Sequence, residues 1–296
     1  MKEEILSVIS NEFGNYAKTG AGILIIILSI SYISAIITQV IQSENNDIMA
    51  FAAICLISVP LIQNILVVVN ESSKTIEDIR NLMMSTLPSL WAVNLGQGGI
   101  VTFFTLTQVV AMLLSEIFLP LTIMYTSLGI CEGISGRFNL SGIKGMVRFI
   151  FNWGLGIMML IFSCTATLSG ALSGAKASLA SRTLKYTGAM IPVVGRYLAE
   201  SADMVFASAA VIKGTAGIAA IGSIVSIAAA PCIKMALNVI TYRIAAILIR
   251  PVADARITQT VTSVGDSYMM ITGITALMSV MCIMNIAILI SILKGG

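Results

Sequence analysis

Few side chains in this sequence could carry acid–base, nucleophilic or metal chemistry. The chain contains no histidine, which excludes Ser-His, Cys-His and His-metal sites. It also has no G-x-x-x-x-G-K-[ST] motif, which excludes a P-loop nucleotide site. The five cysteines lack C-x-x-C spacing and lie within or beside apolar stretches, as small buried hydrophobes do: Cys55, Cys131, Cys164, Cys232 and Cys282. We therefore expect no enzyme activity and no catalytic, cofactor-binding or metal-binding residues.

Three ionisable residues lie in or beside strongly apolar stretches: Glu116, Lys234 and Arg243. Charges inside a membrane are costly, so such groups usually face a bundle interior, a partner or a water path. Lys234 and Arg243 lie near segment ends, where snorkelling to the interface or a satisfied ion pair explains them equally well. Glu116 lies mid-segment, so we expect it to face protein or a water-filled cavity.

Two late aspartates raise the question of an intramembrane aspartyl protease, which needs two facing carboxylates. The VGD sequence ending at Asp266 resembles such a site only distantly, and Asp254 lies between Arg250 and Arg256 in what reads as a loop. Carboxylates favour helix N-termini. Asp266 is therefore better interpreted as a residue at the start of the last span.

The composition predicts the fold class of the elements that hold these residues. Of 296 residues, 57% are hydrophobic and only 10% charged, with a mean hydropathy of +0.97, whereas soluble domains are about 25% charged. We predict an all-α, polytopic integral membrane bundle of about 6–8 hydrophobic segments, including re-entrant or interfacial helices. The net charge of +3 without a basic stripe argues against nucleic acid as a partner.

The N-terminal part reads as an interfacial segment followed by a helical hairpin. Residues 1–19 have apolar side chains at helical spacing and predict an amphipathic helix at the membrane interface. Residues 20–296 form the predicted multi-pass domain. An uncharged run at 20–42 and a second span at 48–69, which Pro60 could kink, predict an antiparallel hairpin.

The middle of the chain predicts irregular structure. The polar run 70–80 should be solvated, and residues 82–95, interrupted by Pro88, should not cross as a regular helix but form a re-entrant or broken segment. Residues 99–130 predict a tilted or broken helix because Glu116 and Pro120 interrupt them. The other predicted elements are a basic loop at 131–148 and apolar segments at 149–170, 214–231, 235–249 and 269–293. The segments 214–231 and 235–249 are either separate or joined around Pro231 and Lys234.

Residues 171–213 combine small residues, prolines and too many charges for a plain span. They predict two short helices that hinge near Pro192 and Gly195, pack against the bundle and remain available to a partner subunit. Small residues four apart allow helix backbones to approach closely, within this subunit more often than against another. This spacing occurs at Gly170 and Gly174, and also at Gly129 and Gly133.

Residues 169–217 read SGALSGAKASLASRTLKYTGAMIPVVGRYLAESADMVFASAAVIKGTAG. Their order of elements resembles the signature region of the stage III sporulation protein AE family, with the IPVVG run as its most specific part. Residues 81–99 look like a second landmark of that family. Together with Glu116, the candidate functional residues are Lys185, Pro192, Gly195, Asp203 and Lys213.

The resemblance implies a membrane subunit of the channel-like complex between mother cell and forespore in endospore-forming bacteria. Its implied partners are membrane lipid, other membrane subunits and a separate ATPase, and its implied location is the mother-cell membrane around the forespore. Family members usually carry a signal peptide and an exported N-terminal region, which this sequence is not expected to have. The alternative is a secondary transporter of an unknown solute, which the prolines and Glu116 would suit.

Overall fold

The computed structural model describes residues 2–41, 46–93, 98–135, 139–172 and 215–295. Within these ranges the chain is almost entirely helical and contains no strand, which confirms the all-α prediction. The elements are α1 (Lys2–Ile41), α2 (Asn46–Val93), α3 (Gly98–Leu113), a π-helical turn (Leu114–Phe118), α4 (Leu119–Ser135), α5 (Ser141–Leu172), α6 (Thr215–Ile249) and α7 (Ala255–Gly295).

Six helical stretches among the described residues are long and apolar enough to cross a membrane, as the composition predicted. They are Gly20–Ile37, Ala50–Met84, Thr105–Ser135, Ser141–Thr165, Cys232–Ile249 and Ala255–Asn285. In the last of these, 94% of the residues are buried, whereas the other five stretches are 17% to 44% buried. The protein is therefore a multi-pass membrane protein, and α7 is its most buried candidate span among the described residues.

The two N-terminal helices are longer than the sequence indicated. Residues 2–19 are helical, as predicted, and continue without a break into the first span; their location at the interface stays a prediction. Helix α2 has 48 residues, which corresponds to about 72 Å at 1.5 Å per residue. The hydrocarbon core of a bilayer is only about 30 Å thick, so a helix of this length exceeds a single perpendicular crossing.

The prediction of a broken segment from residue 82 onward is wrong as far as Val93, because helix α2 continues through it and Pro88 does not end it. The same helix includes the polar run at 70–80, whose solvation stays a prediction. The polarity of this stretch is one-sided, because charged side chains such as Lys74 and Glu77 are exposed while every third or fourth residue is buried. The buried residues are Ser72, Thr75, Ile76, Ile79 and Met83.

The predicted interruption near Glu116 and Pro120 is confirmed as a π-helical turn at Leu114–Phe118. Proline lacks an N–H, and in an α-helix its ring clashes with the carbonyl of the residue four positions earlier. For Pro120 that residue is Glu116, which lies in the middle of the turn. The π geometry therefore appears where an α-helix would be strained.

The predicted loop at 131–148 is much shorter than expected. Helix α4 continues to Ser135 and α5 begins at Ser141. Asn139 caps α5, because its side-chain oxygen accepts a hydrogen bond of 3.1 Å from the Ser141 backbone N–H. Two residues of the predicted loop, Lys144 and Arg148, consequently lie in the first turns of a helix, where they contact other helices.

The C-terminal segments join into two long helices. The predicted segments 214–231 and 235–249 form one helix, α6, which continues through Pro231. Helix α7 begins at Ala255 rather than near residue 269. Asp254 caps α7 by accepting a hydrogen bond of 2.8 Å from the Arg256 backbone N–H, so the predicted loop around Asp254 is confirmed as the α6–α7 turn.

The chain divides into two compact units. The first comprises Met1–Glu71, Leu119–Phe149 and Cys232–Thr272. In this unit Asn64 and Glu71 of α2 contact Tyr242 and Lys234 of α6, so α2 and α6 are antiparallel. Gly20 and Tyr32 of α1 lie against Thr241 and Leu248 of α6, so α1 is parallel to α6. Helices α1 and α2 therefore pass α6 in opposite directions, as the predicted hairpin requires.

The second unit comprises Ser72–Phe118, Ile150–Pro231 and Gly273–Gly296. Phe118 and Phe151 meet edge to face there, with ring centroids 5.5 Å apart, an arrangement that aromatic pairs prefer. The Phe118 ring lies against Gly154, where a Cβ would collide with it. The Asn285 side-chain amide donates to Thr107 Oγ1 at 3.0 Å, a polar contact between α7 and α3.

Candidate functional site

The main polar site of the described chain surrounds Asp266 on α7. Asp266 is buried, and its carboxylate accepts hydrogen bonds from three helices. Tyr125 of α4 donates to Oδ2 at 3.3 Å, and Arg148 of α5 donates to the same oxygen at 3.3 Å. Arg243 of α6 forms an ion pair with Oδ1. A single carboxylate on α7 thus ties α4, α5 and α6 to this helix, at a level 11 residues into it.

This position corrects the interpretation of Asp266 as a helix-start residue. Carboxylates favour helix N-termini, but the carboxylate at the N-terminus of α7 belongs to Asp254. Asp266 instead balances its charge against two guanidinium groups. Its partners lie 23 and 118 residues away in sequence, so spacing along the chain could not have predicted them.

A second buried ion pair lies on the same face of α7. Lys144 of α5 pairs with Glu132 of α4, and both side chains are about nine-tenths buried. Lys144 Nζ also donates to Ser263 Oγ of α7 at 3.2 Å. Thr126 Oγ1 donates to Ser267 Oγ at 2.7 Å, one turn of α7 further along. Each of these contacts joins α4 or α5 to α7.

A third polar group links α2, α6 and α7. Lys234 forms an ion pair with Glu71, so the ion-pair explanation of Lys234 holds and the same is true of Arg243. The Asn64 side-chain amide donates to the Tyr242 hydroxyl at 3.0 Å. The Tyr242 ring stacks on Tyr268 of α7 with ring centroids 4.8 Å apart. Polar contacts therefore run along α6 from Lys234 to Arg243.

Small residues make the close approach of α4 and α7 possible. A Cβ on Gly129 would lie 2.8 Å from Ser263 Oγ and collide with the Ser263 Cβ, while a Cβ on Gly133 would collide with Thr260 Oγ1. The four-residue spacing of these glycines was predicted to serve internal packing, and the structure confirms this for Gly129 and Gly133. The close approach brings Tyr125 within reach of Asp266.

Glu116 lies apart from this site. It belongs to the π-helical turn in the second unit and its side chain is exposed. The expected packing of Glu116 against helices of this chain is therefore not found. A partner subunit or a water path, which the sequence argument also allowed, stays a prediction.

The site suits structural electrostatics better than bond-making chemistry. Its carboxylates are engaged with arginine or lysine, and Asp254 at the start of α7 is engaged with Arg256. Asp254 and Asp266 do not form a pair of facing carboxylates shared by one proton, as an aspartyl protease requires. Within the described residues, no group of three or more His, Cys, Asp or Glu side chains could hold a metal ion.

The sequence profile of stage III sporulation protein AE matches residues 1–292. The chain belongs to the stage III sporulation protein AE family. Stage III sporulation protein AE of Bacillus subtilis (strain 168) is 23% identical to it over 279 residues, which cover 91% of this chain and 70% of the Bacillus protein. No solved structure matches the chain.

Family membership confirms the resemblance inferred from residues 169–217. The candidate residues of that signature segment lie outside the described residues, as do the predicted hinge and Gly174. They are Lys185, Pro192, Gly195, Asp203 and Lys213. Gly170 lies in the last turn of α5, but its predicted packing contact lies outside what the structure describes. The candidate site that the structure does add, around Asp266, could have been suspected only from an aspartate within an apolar stretch.

Proposed function

We propose that the chain is a non-enzymatic, multi-pass membrane subunit of a transenvelope channel or secretion-like complex needed for endospore formation. The observation that carries this proposal is the family match over residues 1–292. The six described stretches that are able to cross a membrane support it. The proposed location is the mother-cell membrane around the forespore. The proposed partners are membrane lipid, other membrane subunits and a separate ATPase.

The use of the buried polar groups supports a scaffold role. In the first unit they pair with one another across helices, as Asp266 does with Arg148 and Arg243 and Glu132 does with Lys144. Groups that are held in this way fix the arrangement of helices and specify which helices pack together. A subunit that must keep its shape within a larger assembly needs this property.

The outer faces support contact with lipid or other subunits. Large apolar side chains are exposed on α1, α2, α5 and α6, and they include Ile33, Leu56, Val59, Met146, Trp153 and Ile247. A P-loop is absent from the sequence, which agrees with energy being supplied by a separate ATPase subunit.

The test is purification of the tagged full chain from sporulating cells in mild detergent, followed by identification of co-purifying proteins. The proposal predicts co-isolation of other membrane proteins and an ATPase at constant ratios. The matched control is the same purification from cells that are not sporulating. Isolation of the chain alone, from cells in which it supports normal sporulation, contradicts the proposal.

A second candidate function is a secondary transporter of an unknown solute. The π-helical turn with Glu116 at its centre favours it, because interrupted helices often form binding sites near the middle of the membrane. A transported solute should raise the thermal stability of the isolated protein by mass action, and a Glu116→Gln variant should lose this effect. A lack of stabilisation by any tested solute class, together with stable co-isolation of partners, favours the complex.

A further inference from the structure

Two guanidinium groups on the surface of the first unit share one carboxylate. Arg148 and Arg243 both form ion pairs with Asp266, and their side chains are 46% and 41% exposed, whereas Asp266 is 10% exposed. One carboxylate cannot neutralise two guanidinium groups, so the cluster has one positive charge in excess. The excess charge is on its outward side, because the acid lies behind the two arginines.

The two arginines lie near the same end of the first unit. Helix α5 is parallel to α7, because Lys144 contacts Ser263 and Arg148 contacts Asp266 further along both helices. Helix α6 is antiparallel to α7, because a short turn joins them and Arg243 contacts Asp266. Arg148 is about 10 Å from the start of α5, and Arg243 is about 9 Å from the end of α6, at 1.5 Å per residue. Arginine side chains near the end of a helix can place their guanidinium groups toward the headgroup region while their stems stay among apolar groups.

The surroundings of the arginines are apolar and exposed. Ile240, Ile244 and Ile247 on α6 are 43% to 68% exposed, and Met146 and Phe149 on α5 are 63% and 59% exposed. An exposed guanidinium in such surroundings is costly unless an anion or water reaches it. Two guanidinium groups with flanking apolar side chains match the chemistry of a lipid with an anionic headgroup.

We propose that Arg148 and Arg243 bind the phosphate of an anionic phospholipid, whose acyl chains lie along the exposed apolar faces of α5 and α6. A guanidinium group matches a phosphate through two parallel hydrogen bonds. Asp266 holds both guanidinium groups in place from the protein side. The excess positive charge favours a headgroup with a net negative charge over a zwitterionic one, whose own cation competes with the arginines.

The test uses the full chain purified in detergent and titrated with phosphatidylglycerol or phosphatidylcholine, with retained lipids counted by native mass spectrometry. The proposal predicts preferential retention of phosphatidylglycerol. Arg148→Gln and Arg243→Gln should each reduce that preference about fivefold, because a basic residue near a membrane surface contributes about that factor. The matched control is Arg80→Gln on the exposed face of α2, which should leave the preference unchanged.

A variant that removes all three charges keeps the test valid if a single change disturbs folding. The combination Arg148→Gln, Arg243→Gln and Asp266→Asn leaves no unpaired ion, and it should fold yet lose the preference for phosphatidylglycerol. Equal retention of the two lipids by the wild type, or unchanged preference in this variant, overturns the proposal. Displacement of the lipid by glycerol phosphate alone would assign the site to a free phosphate instead. Loss of a co-purifying acidic membrane protein, with lipid retention unchanged, would assign it to a partner subunit.

Discussion

Asp266 is a buried carboxylate in the part of α7 that belongs to the first unit. Transfer of an isolated carboxylate into an apolar interior is costly, and the group normally becomes neutral unless it is paired. Here two arginines and the Tyr125 hydroxyl supply donors from three other helices. The carboxylate is therefore paired, and its contacts fix the helices that carry its partners against α7.

We expect Asp266→Asn to destabilise the protein by about 2 kcal/mol, because hydrogen bonds to charged groups contribute about 1.5–3 kcal/mol. The substitution removes the negative charge and replaces one of the two acceptor oxygens with an NH2 donor, so two guanidinium groups lose their counter-ion and one of them also loses its acceptor. Thermal unfolding of the purified protein in detergent measures the change. The matched control is Asp78→Asn on the exposed face of α2, which should alter stability by less than about 0.5 kcal/mol. Equal effects of the two substitutions would show that Asp266 does not hold the helices together.

Glu116 is a residue whose expected role is functional rather than structural. Its side chain is exposed in the π-helical turn, so Glu116→Gln should leave thermal stability within about 0.5 kcal/mol of the wild type. We expect the same substitution to reduce sporulation efficiency, since an exposed carboxylate at membrane depth needs a partner or water. Spore counts at equal protein levels measure this. Normal spore formation would show that the carboxylate has no role.

At the scale of elements, α4 and α7 pack closely because small residues face each other. Gly129 lies against Ser263, and the Ser263 Cβ cannot move without a shift of the helix backbone. The same serine accepts a hydrogen bond from Lys144 of α5. Three helices are therefore coupled at one level of the bundle.

We expect Gly129→Ala to destabilise the protein by about 1–3 kcal/mol, the usual cost of overpacking, although alanine is the better helix former. Gly145 of α5 provides the matched control, because a Cβ there meets nothing within 4 Å. Gly145→Ala should stabilise the protein by about 0.5–1 kcal/mol through helix propensity. Thermal unfolding of both variants measures the difference. Similar effects of the two alanines would contradict the close packing of α4 on α7.

The sequence predicted those elements that depend on residues close together in the chain. The uncharged run at Gly20–Ile37 and the apolar run within Ser141–Thr165 became helices, and the interruption at Glu116 and Pro120 became the π-helical turn. Residues 70–80 carry their exposed charges on one side of α2, while Ile76 and Ile79 on the other side are buried. Average polarity predicts contact with water, but it does not show which side of a helix packs against protein.

The site was less predictable than the helices. An ion pair such as Lys144 with Glu132 needs two helices to meet at one level, and no spacing within either helix fixes that. Lys234 and Arg243 were correctly identified as costly charges, but their partners Glu71 and Asp266 come from other helices. The sequence indicated that Lys234 and Arg243 need anionic partners, but it did not show which residues supply the carboxylates.

The signature segment at residues 169–217 adds a prediction at this scale, independent of the described structure. We expect Gly195→Val to disturb assembly with partner subunits while the chain still inserts into the membrane, because the bulky side chain stiffens the predicted hinge beside Pro192. Membrane fractionation measures insertion, and co-purification measures assembly. Gly142→Val at an exposed position of α5, where a Cβ meets nothing within 4 Å, is the control. Loss of insertion, or normal assembly, would contradict the hinge.

At the scale of the whole molecule, buried ion pairs such as Lys144 with Glu132 hold helices of the first unit together, while large apolar side chains are exposed on α1, α2, α5 and α6. Exposed apolar faces of this kind suit a subunit in contact with lipid and other subunits. The proposed function therefore requires that the chain acts within an assembly.

The most direct measurement is the size and composition of the particle that contains the chain after mild-detergent extraction of sporulating cells. A single chain has a mass of 31.3 kDa. The proposed function predicts a particle with several times the protein mass of one chain. This particle should contain other membrane subunits and an ATPase, and it should dissociate when assembly is disturbed. A particle that holds one chain only, extracted from cells that form spores normally, would contradict it.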